Sequence, residues 1–104
     1  MSTTVSSKDR LLDIAMNLAR IGNWTADAYA QKTALINRFM KQTNDYIHEV
    51  SSSQLSKEIT PLFQRFKNEF EALQKEKITL QTKDIWAERA LTWANILQHR
   101  AKLA

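Results

Sequence analysis

The chain has no cysteine, and only one glycine and one proline in 104 residues. Each scarcity removes a class of answers. Without cysteine there is no disulfide framework, no thiolate nucleophile and no cysteine-held zinc, and the composition fits a reducing compartment. The tight turns of a small β-rich domain draw heavily on glycine and proline, so their shortage points to long helices and few loops. The sole glycine, Gly22, has none of the glycine-rich surroundings that let backbone N–H groups approach a phosphate. No apolar run approaches the eighteen or so residues of a membrane span, and the opening MSTTVSSKDR lacks the apolar stretch of a secretory signal. The resulting expectation is a cytoplasmic protein without membrane contact, with a disordered tail over residues 1–6 and one helical domain over 7–104.

What is present is ordinary in bulk. The hydrophobic fraction of 43% and charged fraction of 25% suit a globular chain with a core. At this length folding hides only about two thirds of the surface exposed when unfolded, so a second copy of the chain would add stability. The net charge of +4 comes from 15 basic and 11 acidic side chains, spread along the chain. Such a mild excess permits contact with nucleic acid without demanding it.

Apolar residues recur at helical spacing in four segments. The first runs from about Ser7 to Ile21, with Ser6 and Asp9 resembling a capping arrangement. Leu11, Ile14, Ala15, Leu18 and Ile21 form its stripe, widened by Leu12, Met16 and Ala19, and Gly22-Asn23 offers a left-handed cap. The second runs from about Thr25, an expected N-cap, to Val50, with Tyr29, Ile36, Phe39, Met40, Thr43, Ile47 and Val50 on one face. SSSQ from Ser51 breaks it. In the third, Thr60-Pro61 reads as N-cap and first helical residue of a helix to about Lys77, with a kink or a short extra helix leading in. Its stripe is Ile59, Leu62, Phe63, Phe66, Phe70 and Leu73, and Glu71 and Lys75 are spaced to pair. The fourth begins near Thr82 and runs close to the C-terminus. Short connections predict antiparallel neighbours. The expected architecture is all-α, an antiparallel up-and-down four-helix bundle. Its core would include Leu18, Ile36, Phe39, Ile47, Phe63, Phe66, Phe70, Leu73, Trp86, Trp93 and Leu97.

The last segment, DIWAERALTWANILQHRAKLA, poses the functional question. Trp86, Ala90, Trp93 and Leu97 share one face, Ala87, Ala94 and Ala101 form a small-residue strip beside it, and Ile85, Thr92, Ile96 and Leu103 make a flank. The apolar arc is wider than one neighbour covers. Either the helix sits centrally, covered by the others, or one flank stays exposed as an interface, where tryptophan is enriched as it is in cores. A homodimer would combine the two.

Chemistry is harder to find. Asp45 and His48 give one Asp-x-x-His, half of a bundle metal motif, with nothing matching near His99, where Asn95 is a poor ligand. They are weak metal candidates. The serines cluster at segment ends, away from either histidine, so no nucleophile–base pair is apparent. Lys75, Lys77 and Lys83 lie at one end of the last helix and Arg100 and Lys102 at the other, which disfavours one phosphate-binding patch. The sequence therefore predicts a protein that is not an enzyme and needs no cofactor: a helical protein-interaction module, such as a small regulator, adaptor or accessory subunit. Trp86, Trp93, Arg89, Arg100 and Lys102 are its candidate partner-binding residues. A nucleic-acid-associated subunit using Lys and Arg is the alternative, and a bundle binding metal or a small ligand through His48 a lower one.

Overall fold

A computed structural model describes residues 6–50 and 54–103. The fold is all-α, and no strand occurs among the described residues. The expectation of four separate helices is corrected to three among the described residues: α1, Ser7–Glu49; α2, Thr60–Lys75; and α3, Lys83–Arg100, which runs into a 3-10 turn at Ala101–Leu103. Of the expected tail, residues 1–5 lie outside the described residues, as do residues 51–53 of the SSSQ break. Ser6 is in place as the N-cap of α1, its Oγ accepting from the Asp9 N–H at 3.1 Å.

The missing boundary is the one placed at Gly22-Asn23. Gly22 does not cap anything: its φ is negative, it is buried, and the helix continues through it. Its value lies in having no side chain. A Cβ there would stand 2.6 Å from Cγ of Leu91 and 3.1 Å from the Ala87 carbonyl oxygen, so glycine is what allows α1 and α3 to meet this closely. Thr25, the expected N-cap, is likewise a fully buried helical residue.

The change of direction comes later, at Ala28, where φ is −149° and ψ is 40°. A straight helix of 43 residues would be roughly 65 Å long at about 1.5 Å per residue, whereas the longest dimension of the molecule is 41 Å. The helix folds back into two arms, residues 7–27 and 29–49, whose contacts run in opposite directions. Arg10 Nη2 pairs with Glu49 at 2.8 Å, and its guanidinium lies 4.2 Å from the centre of the Tyr46 ring. Asn17 donates to Gln42 at 3.0 Å, and Trp24 meets Phe39 edge-on at 5.1 Å. Two side-chain contacts tie the bend to the chain around α3. Lys83, at the start of α3, donates to the Ala26 carbonyl at 2.8 Å, and the Tyr29 hydroxyl donates to the Ile78 carbonyl at 3.3 Å.

α3 packs mainly on α1, with the alanines of its small-residue strip buried. α2 stands further off, bridged by large side chains. Phe63, Phe66 and Phe70 run in sequence along it, with successive ring centres 6.1 and 5.8 Å apart, and Phe66 meets Trp93 at 5.5 Å. α2 starts one residue earlier than expected, with Ile59 as N-cap and Pro61 in the first turn, where its missing N–H costs little. Thr60 instead ties back to the Ser56 carbonyl through both its amide and its hydroxyl. Thr82 is the N-cap of α3, but its hydroxyl accepts from the Thr79 amide, closing the preceding loop rather than the helix.

Ten of the eleven expected core residues are buried; Phe39 is only half-buried, at the edge of the arm-to-arm seam. Leu12 and Met16, read as widening the buried face of α1, point outward instead, Met16 being 54% exposed. Because Gly22 sits at a closed helix–helix contact, Gly22→Val should cost about 1–3 kcal/mol from overpacking. A lowered urea midpoint with unchanged slope is the measurement that checks it.

Candidate functional site

α3 has several alanines and leucines, which are strong helix formers, with negative Asp84 in its first turn and positive His99 and Arg100 in its last, where each suits the helix dipole. Its faces divide sharply. Trp86 and Trp93 are 4% and 8% exposed, so both of these candidate residues belong to the protein's own core rather than to an open surface. The indole N–H of Trp86 donates to the Leu73 carbonyl at 3.1 Å. That carbonyl lies in the last turn of α2, where carbonyls have lost their helical partners. A buried N–H and a stranded C=O therefore satisfy each other.

Trp93 is different at its rim. One edge of its ring reaches two adjoining clefts. The first, of 250 Å³, is lined by Ile85, Glu88, Arg89, Thr92 and Trp93. The second, of 480 Å³, lies between α2 and α3 and includes Arg65, Asn68, Glu69 and Ile96. Ile85, Thr92 and Ile96 follow the helical stripe of the flank. Ile85 is 65% exposed, Thr92 is exposed and Ile96 half-buried; the side chain of Leu103 lies outside the described residues. Arg89 sits in the middle of the stripe, paired with Glu69 of α2 at 3.5 Å and with Glu76 just past its end. Its guanidinium already faces two carboxylates, which suits a recognition surface better than a phosphate clamp.

The structure does not gather the other candidates around this flank. Arg100 and Lys102 are exposed at the far end of α3. They stand roughly 25 Å from Lys83 at about 1.5 Å of rise per residue. Lys83 is occupied by Asp84 and the Ala26 carbonyl, and Lys75 by Glu71 at 3.0 Å. The basic clusters thus stay apart. Asp45 and His48 are exposed on the second arm of α1, with the His48 Nδ1 donating to the Asn44 carbonyl at 2.8 Å. No group of three His, Cys, Asp or Glu side chains placed to hold a metal ion occurs among the described residues, so the pair lacks further ligands there. Two more open grooves, of 360 and 450 Å³, separate that arm from α2 and share Asn44 and Gln74.

Set against known families, curated proteins and solved structures, the chain shows no match to any of them. Among the described residues no helix is long and apolar enough to cross a membrane.

The signal for Ile85 was present in the sequence, as a member of the flank, but the tryptophans outweighed it there. The role of Trp86 generates a direct expectation. Trp86→Phe keeps most of the ring but leaves the Leu73 carbonyl without its donor, at a cost of about 1–3 kcal/mol. Thermal and urea unfolding followed by circular dichroism would show the loss, while a Trp86→Phe protein as stable as wild type would mean that the bond contributes nothing.

Proposed function

We infer that the chain is a non-catalytic protein-interaction module, a small regulator, adaptor or accessory subunit, that engages its partner through the outer flank of α3. The observation that carries this reading is the exposure of Ile85 in one row with Thr92 and Ile96, beside the rim of Trp93. Single exposed apolar residues are common on soluble proteins and need no explanation. An exposed isoleucine continuous with a cleft floored by tryptophan and edged by an ion-paired arginine is a different case, because anchors of this kind dominate binding energy when a partner excludes water from them. Arg89 is already paired within the chain, so a partner need not desolvate a free charge. The tryptophans take part through support: Trp86 fixes α3 against the end of α2, and Trp93 supplies the floor.

The test places a photo-crosslinking side chain at Ile85 and, as a control, at exposed Lys57, in extract from the protein's own cells. The expected result is an adduct at position 85 that excess wild-type chain suppresses. Ile85→Glu/Ile96→Glu should compete about thirty-fold less well, in line with loss of a hot spot of about 2 kcal/mol. Equal labelling at the two positions, or equal competition by the double variant, would sink the proposal. Adduct yield should fall only moderately between low and physiological salt; a steep fall would instead assign the surface to phosphate contacts.

A further inference from the structure

The arms of α1 are joined in an unusual way for two antiparallel helices. Connections between neighbouring helices usually take 2–8 residues, whereas here the non-helical backbone is confined to Ala28. The sequence around it, WTADAYAQKTAL from Trp24 to Leu35, has no glycine, proline or asparagine. Alanine, the strongest helix former, occupies positions 26, 28, 30 and 34. Local chemistry therefore favours a helix that runs straight through the point where the chain reverses.

The contacts at the bend tell the same story. The Ala26 carbonyl, which an uninterrupted helix pairs with the Ala30 amide, is reached by a lysine from α3. One residue earlier, the buried hydroxyl of Thr25 has no hydrogen-bond partner among the described residues. Meanwhile the interactions that hold the first arm in place are all to parts of the chain beyond the bend. They include Arg10 with Glu49 and Tyr46, Asn17 with Gln42, Ser7 with Gln54, and Gly22 against Leu91. None of these contacts depends on both partners belonging to the same molecule.

We propose that the protein forms an arm-exchanged dimer with a second copy of itself. α1 opens at Ala28 into one continuous helix, and each first arm, residues 7–27, seats on the second arm, α2 and α3 of the other copy. A second copy is the one occupant that reproduces these contacts residue for residue. Short hinges between helices invite such exchange. The exchange uses inner faces and leaves the Ile85 flank outside, so this proposal stands or falls separately from the one above.

The absence of native cysteine makes the test clean. Asp13 and Glu49 both contact Arg10, at 3.1 and 2.8 Å, and both side chains are about half exposed. Chains carrying Asp13→Cys alone and Glu49→Cys alone are unfolded, mixed, refolded at high concentration and treated with a short bis-maleimide. The expected product joins the two different chains, is identified by mass, and is nearly absent when the same proteins are mixed after folding. Light scattering should show the dimer association constant of Ala28→Gly about thirty-fold below wild type. That corresponds to two hinges, each losing about 1 kcal/mol of helix preference. No joined product after co-refolding would overturn the proposal. So would equal yield from folded chains, which indicates simple side-by-side docking, or an association constant unmoved by Ala28→Gly.

Discussion

The structure depends on the reversal of its first helix. Without the fold at Ala28, α1 would be far longer than the domain, and the apolar faces of its two halves would have no common core to share. With it, Leu11, Ile14, Leu18 and Ile47 come into one cluster with Phe66, Trp93 and Leu97, while Ile21 and Ile36 meet Trp86 and Leu73 in a second. The bend is enforced by what packs around it rather than by the residue that makes it. The Trp24–Phe39 contact, the lysine on the Ala26 carbonyl and the tyrosine on the Ile78 carbonyl all lie close to it. Tertiary burial overrides local preference here, a conflict that well-optimised folds usually avoid.

α3 resolves the question its tryptophans raised. A wide apolar arc can mean a central helix or an exposed interface, and this helix divides the two roles between faces. The alanine strip lets it approach α1 closely; the tryptophans fill the broader gap to α2, where phenylalanine rings keep the backbones apart. What remains outward is narrow and runs through Ile85, Thr92 and Ile96. The grooves between α2 and the second arm of α1 follow from the same spacing, because side chains rather than backbones set the separation there.

Much of this was legible in the sequence. The stripes of α2 and α3 follow helical spacing closely enough to identify Phe63, Phe66, Phe70, Leu73, Trp86, Trp93 and Leu97 as core. The Glu71–Lys75 pair and the Thr82 boundary could also be read directly. Gly22 misled because glycine serves two opposite purposes in helices: it ends them through a left-handed cap, and it lets another helix approach. Only the neighbour, Leu91, distinguishes them, and that neighbour lies far along the chain. Met16 misled because its spacing fits a broad buried face, while α1 needed only a narrower one. The bend at Ala28 has no local signature at all. Ile85 was visible on its flank, but nothing in a one-dimensional pattern says which of two flanks a fold will leave uncovered.

The placement of the three indoles has a consequence for how unfolding can be watched. Trp24 touches Phe39 across the seam of the α1 hairpin, Trp86 is anchored at the carboxyl end of α2, and Trp93 meets Phe66 at a tilt across the gap between α2 and α3. Intrinsic emission from this chain is therefore a composite of distinct seams, and chains retaining one indole each would separate the parting of the hairpin from the release of α2.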